Sequence, residues 1–212
     1  MEDPLREAIP DGLEIFETLG WHPDQGMRHA DLHIARMGRT AQQLGLRFDP
    51  GAAATLLQGV ASVMPLRCRM SLGRGGLTLN TSAAPPTPPL WQVGIAGQRL
   101  NSADPWLGHK TTQRAIYDQA RADLPDGQDE WLFLNERGEV CEGTITNIFV
   151  TLADGTRGTP PLSSGLLPGI LRQTLLEQGY VEQVLKLADL PTAQSIFMGN
   201  ALRGLIQVKI VD

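Results

Sequence analysis

Between Ser82 and Pro89 the chain reads Ser-Ala-Ala-Pro-Pro-Thr-Pro-Pro, with four prolines in its last five residues. Proline fixes φ and lacks an N–H, so this stretch can continue neither a helix nor a central strand. It divides the 212 residues into a smaller unit over 1–84, an extended connection over 85–98 and a larger unit over 99–212. A chain that is 42% hydrophobic and 19% charged has ordinary globular composition, with material for a core in each part.

Periodicity supplies the elements. Ala30, Ile34, Met37, Ala41 and Leu44 recur in steps of four and three, the stripe of an amphipathic helix that Gly45 can end, with Arg36 off the stripe. Asp49 and Pro50 have the chemistry of an N-cap and a first helical residue, followed by an apolar face of Ala53, Leu56, Leu57, Val60 and Met64. Leu66, Cys68, Met70 and Leu72 alternate with polar residues as in a half-buried strand, and Gly73–Gly76 turns it back into Leu77–Leu79. Beyond the prolines the pattern predicts helices over 111–122 and 168–178, and strands over 131–134, 140–150, 196–198 and 205–211.

A net charge of -5 with no basic block gives no electrostatic footprint for nucleic acid or an anionic membrane, so the expected ligand is small. Cys68 and Cys141 form no CxxC or zinc spacing, which fits a reducing cytoplasm. The start, Met1-Glu2-Asp3-Pro4, leads no apolar run, and no stretch reaches the roughly 18 apolar residues of a membrane span. His29 and His33 stand four apart, yet no third ligand accompanies them, so no metal is expected.

Lys110, in Gly108-His109-Lys110-Thr111-Thr112, sits where extended chain gives way to helix; by itself it reads as a solvated surface cation, and a chemical role needs company from other residues. Glu142 opens Glu142-Gly143-Thr144-Ile145-Thr146-Asn147-Ile148-Phe149 among apolar neighbours, where a carboxylate needs a partner. Leu166-Leu167-Pro168-Gly169-Ile170-Leu171 reads as a helix start whose amides at Gly169, Ile170 and Leu171 would face an anion, and Gly199-Asn200-Ala201 offers a second amide-bearing turn. Arg36 could add a bidentate contact to such an anion.

Taken in order, His33-Ile34-Ala35-Arg36-Met37, Lys110, Glu142 with Asn147-Ile148-Phe149, Leu167-Pro168-Gly169-Ile170 and Asn200-Ala201 resemble the class IV aminotransferase family over nearly the whole chain. The resemblance implies an α/β (α+β) fold of type IV, with a small N-terminal α/β domain, a larger β-rich C-terminal domain and pyridoxal 5′-phosphate at their interface. It makes Lys110 the lysine that bonds the cofactor and Glu142 the carboxylate at its ring nitrogen. Arg36, Asn147, Gly169, Ile170, Leu171, Asn200 and Ala201 fall at the remaining cofactor-binding positions. A homodimer is also implied.

Within the family, Lys110 to Asp118 is similar to the aminodeoxychorismate lyase branch. Branched-chain aminotransferases commonly carry a tyrosine five residues after the lysine, where this chain has Ala115, and many transaminases have a threonine where it has Leu171. The expected reaction is therefore loss of pyruvate from 4-amino-4-deoxychorismate to give 4-aminobenzoate for folate synthesis, with an aminodeoxychorismate synthase as the metabolic partner. Thr18, Arg114 and Arg203 are the candidate substrate contacts. A branched-chain or D-amino acid aminotransferase, or a non-catalytic module that keeps the fold, are the alternatives.

Overall fold

The computed structural model describes Leu5 and residues 9–211; the acidic Met1–Pro4 start lies outside them. The chain folds as two compact units, one of the described residues up to Pro86 with His109–Gln113, the other of Thr87–Gly108 and the residues from Arg114 onward.

The first unit is a four-stranded antiparallel sheet in the order β2-β1-β3-β4, built from β1 (Ile15–His22), β2 (Gly26–Met27), β3 (Leu66–Gly73) and β4 (Gly76–Ala83), with helices α1 (Ala30–Leu44) and α2 (Pro50–Gln58). Gly45 ends α1 in the left-handed region at φ 67°, where a side chain would be strained. Asp49 caps α2 through Oδ1, which accepts from the amides of Gly51 and Ala52. The apolar face expected beyond Leu57 is not formed: α2 stops at Gln58, and Leu56 and Met64 are exposed.

The buried face of α1 also differs from the apolar stripe. It consists of His33, Arg36, Met37, Thr40, Ala41 and Leu44, so Arg36 points inward rather than off the packed side. The cause is Glu17 on β1, fully buried, which draws both basic side chains under the sheet.

Thr111 does not begin a helix. It bridges Ile15 in antiparallel fashion, while the amide of Phe16 donates to the Lys110 carbonyl and that of Thr112 to the Glu14 carbonyl, each at 2.9 Å. Residues 110–112 thus run as a short extra strand along the edge of β1. The helix, α3, begins only at Ala115 and runs to Ala122.

The second unit holds β5 (Leu90–Leu100), β6 (Glu130–Asn135), β7 (Val140–Gly143), β8 (Asn147–Thr151), β9 (Arg157–Thr159), β10 (Val181–Glu182), β11 (Ser195–Asn200) and β12 (Gly204–Ile210), with α3 and α4 (Ile170–Glu177). Their order is β10-β9-β8-β11-β12-β5-β6-β7, and β7 pairs again with β8, so six strands close into a ring. One core cluster runs from Trp91 and Val93 through Leu132, Ile148 and Met198 to Ile206 and Val208. A second joins Tyr117 of α3 to Phe133 and Cys141, with the Tyr117 and Phe133 rings edge to face at 5.3 Å. Two expectations are corrected here. Most of 85–98 is strand β5 rather than connection, because the backbone from Leu90 is free of proline and pairs with β12 and β6. The single strand expected over 140–150 is a hairpin, β7 and β8, reversed at residues 144–146.

Both cysteines are free and buried, and among the described residues no helix is long and apolar enough to cross a membrane.

Candidate active site

In the first unit, strand alternation sorts the functional side chains onto two faces. Ile15, Glu17 and Leu19 share one face of β1 with Thr111; Phe16 and Thr18 share the other with Lys110, because residues paired across a ladder point the same way. The Lys110 Nζ accordingly lies 4.7 Å from the centre of the Phe16 ring, and the guanidinium of Arg69, paired in register with Thr18, lies 3.8 Å from the same centre. Thr18 is half-buried beside these groups. Two basic side chains thus lie against one aromatic ring.

Arg36 lies on the opposite face and is 5% exposed. Its Nε and Nη2 donate to the two oxygens of Glu17 at 2.8 and 2.5 Å, and His33 donates from Nδ1 to Oε2 at 2.6 Å. Burial alone would raise the pKa of Glu17; Arg36 and His33 outweigh it and hold the carboxylate at about 2. His33 itself is pushed down by burial, against the pull of Glu17.

In the second unit the centre is Glu142, 5% exposed on β7. Oε1 accepts from the Tyr117 hydroxyl at 2.7 Å and the Leu167 amide at 3.1 Å, and Oε2 accepts from Asn147 Nδ2 at 3.2 Å. These three donors are uncharged, and they orient the carboxylate. The Tyr117 hydroxyl is driven well above its usual pKa by burial and by Glu142, and the shared proton stays on the phenol. A protonated ring nitrogen brought to Glu142 would meet a carboxyl group already fixed in place.

Asn147 acts beside it as a positioning residue. Its Nδ2 also holds the Leu167 carbonyl at 3.0 Å, and its Oδ1 occupies the space that a side chain at residue 169 would need, which makes Gly169 obligatory. Gly169 is the N-cap of α4 rather than its second residue, and Pro168 precedes the cap. The Gly169 amide donates back to Leu167, so it is not open to an anion as expected. The first intrahelical bond runs from Gln173 to Gly169, and the amides of Ile170 and Leu171 therefore belong to the first helical turn, which has no intrahelical acceptors.

Asn200 closes the turn between β11 and β12. Its Oδ1 accepts from the amides of Leu202 and Arg203, and its Nδ2 reaches the Ile145 carbonyl at 3.1 Å. Ala201 is buried in that turn. Arg114 braces the second unit, since Nε pairs with Asp118 at 2.8 Å and Nη2 holds the Thr144 carbonyl at 2.7 Å. Arg203 lies over Trp91, its guanidinium 5.5 Å from the ring centre.

Four contributors escape sequence reasoning. The supporting roles of Glu17, His33 and Tyr117 carry no local signal, because each sits among ordinary strand or helix residues. Glu130, fully buried, accepts from the amides of Thr144 and Ile145 and from the Thr144 and Thr146 hydroxyls, and so shapes the loop between β7 and β8. A charged residue opening an apolar strand, Glu130-Trp131-Leu132-Phe133-Leu134, is its one sequence signal.

The chain matches the family model "Amino-transferase class IV" over residues 14–211. It is 30% identical over 136 residues to the aminodeoxychorismate lyase of Saccharomyces cerevisiae, an alignment covering 55% of this chain and 36% of that protein. It is 36% identical over 92 residues to a putative branched-chain-amino-acid aminotransferase of Methanocaldococcus jannaschii, covering 41% of this chain and 32% of that protein. The matches thus span about a third of these two curated relatives. The crystal structure of a putative amino-acid aminotransferase from Mesorhizobium loti superposes with a TM-score of 0.86 at 39% identity, covering 94% of this chain and all of that one.

Proposed function

We propose that this chain, which belongs to the class IV aminotransferase family, is a lyase that converts 4-amino-4-deoxychorismate to 4-aminobenzoate and pyruvate. The family is pyridoxal-phosphate dependent. When bound, the cofactor supplies an electron sink for the charge left by proton removal. The observation that carries an enzymatic reading is the setting of the two candidate chemical groups: a lysine that shares the Phe16 ring with Arg69, and a buried carboxylate held by Tyr117, Asn147 and the Leu167 amide.

The remaining roles follow from chemistry. Glu142 keeps the ring nitrogen protonated, and Tyr117, Asn147 and the Leu167 amide hold Glu142 in place. Arg36, the first-turn amides of Ile170 and Leu171, and the Asn200–Ala201 turn serve the phosphate. Lys110, as the free amine, removes the proton from the amine-bearing ring carbon. The enolpyruvyl ether leaves the adjacent carbon and is protonated to pyruvate, and the six-membered ring becomes aromatic. Thr18 lies on the Lys110 side of β1, which supports its role as a substrate contact. Elimination is favoured over transfer because α3 opens with Ala115, where branched-chain aminotransferases commonly carry a tyrosine, and Leu171 has no hydroxyl to add to the phosphate site.

The deciding assay supplies 4-amino-4-deoxychorismate to the pyridoxal-phosphate-loaded protein without any amino acceptor. Equal amounts of pyruvate and 4-aminobenzoate are expected. Neither product, together with amino transfer to a 2-oxo acid, would replace the lyase with an aminotransferase. Borohydride treatment is expected to fix the cofactor onto the peptide that contains Lys110, and a protein that takes up no cofactor would exclude both readings.

A further inference from the structure

His33 Nε2 is buried and has no hydrogen-bond partner, although the ring is only 1% exposed. Such an atom is uncommon, because a buried polar group left unpaired costs about 1–3 kcal/mol. The neighbouring groups are already engaged with one another. Nδ1 donates to Glu17, Glu17 also takes two donors from Arg36, and Arg36 stands three residues after His33 on the same face of α1. The charged groups that act on the ring are Glu17 from β1, Arg36 from α1 and Lys110 from the strand-like segment beside β1.

With His33 neutral, the cluster of Glu17, Arg36 and His33 carries no net charge, since the carboxylate cancels the guanidinium. Such a cluster offers a dianion little attraction, and a neutral His33 adds no charge to it. One proton at Nε2 changes both properties: the cluster becomes cationic and the orphaned atom becomes a donor.

We propose that His33 takes a proton from solvent at Nε2 when a phosphate monoester binds at Arg36, and thereby restores the positive charge that Glu17 cancels. This rests on the reading of Arg36 as a phosphate residue. One N–H bond forms, no other covalent bond changes, and Glu17 keeps the other ring nitrogen protonated throughout. His33 is in this sense a positioning and charge-setting residue for cofactor capture, distinct from the groups that carry out the reaction.

The test uses pyridoxamine 5′-phosphate, which has the phosphate but no aldehyde, so Lys110 forms no bond to it. Binding is measured calorimetrically in buffers of different ionisation enthalpy, for the wild-type protein and for H33N, whose amide can keep the bond to Glu17 but cannot titrate. Wild type is expected to take up about one more proton than H33N above neutral pH, and its affinity to fall about tenfold more per pH unit there. Ring ¹⁵N shifts of His33 in the wild-type protein, with and without the probe, are expected to show protonation on binding and are independent of how well H33N folds. Equal proton uptake in the two proteins, or a His33 ring that stays neutral in the complex, would overturn the proposal. An R36Q variant separates the two levels. If it binds the probe as tightly as wild type, Arg36 is no phosphate residue and the inference falls with it; if it binds weakly while His33 stays neutral, only the role of His33 is lost.

Discussion

A carboxylate at the centre of a buried strand face is tolerated only when its charge is met, and Glu17 is met by three donors at 2.8 Å or less. Replacing Glu17 with glutamine leaves Arg36 buried without its counter-charge and is expected to cost about 3–5 kcal/mol of unfolding free energy in denaturant titration. The same pairing has a pH signature. The Glu17 pKa falls from 4.5 to about 2 on folding, so its contribution is fully present above 4.5 and is lost as pH falls from 4.5 towards 2. Acid unfolding curves of wild type and E17Q should therefore converge over that interval. Tyr117→Phe removes one donor from Glu142 and is expected to cost about 1.5–3 kcal/mol by the same measurement. Ring packing on Phe133 survives that change, so the loss reports the hydroxyl.

At the level of elements, the hairpin of β7 and β8 depends on one glycine. A Cβ at Gly143 would lie 2.5 Å from the Met198 methyl and 2.5 Å from Thr146 Oγ1, and the Gly143 amide donates to the Thr146 carbonyl at 2.7 Å. Gly143→Ala should therefore destabilise by about 1–3 kcal/mol and disturb Glu142 next to it, read as a lower melting temperature with weaker cofactor uptake. Much of the element pattern was legible. The span of α1 and its stop at Gly45, the Asp49 cap of α2, and β3 with its glycine turn all follow from local period and cap chemistry. The rest depends on partners distant in sequence. Val140–Val150 is rich in strand formers but interrupted by Gly143 and Asn147, and its reversal is shaped by Glu130 and by crowding at Gly143. The inward turn of Arg36 depends on Glu17, nineteen residues earlier. Candidate residues were easier to find than their supports, since a lysine or glutamate in a motif carries its own signal while Tyr117 and His33 acquire meaning only through the atoms they reach.

Across the whole molecule, the second unit is held by pairings between segments far apart in the chain. Strand β12, at Gly204–Ile210, lies between β11 and β5 and runs parallel to β5 at Leu90–Val93. Its neighbour β5 is also parallel to β6. None of these parallel contacts can form by a simple hairpin, so the ring was invisible to a reading based on neighbouring residues. A polar substitution at Ile206, 2% exposed on β12, should weaken the whole unit rather than fray one strand, giving a single cooperative transition at lower denaturant.

The closed circuit of strands carries a kinetic consequence as well. A chain that has ordered β5, β6, β7, β8 and β11 still exposes two facing strand borders until residues 204–210 insert between them. Folding should accordingly be slow for the size of the unit, with a late step limited by insertion of that final strand. Before it, the intermediate offers unpaired backbone to any other copy of itself. Refolding yield should fall with protein concentration, and a peptide of residues 204–210 supplied in trans should compete with insertion and slow it.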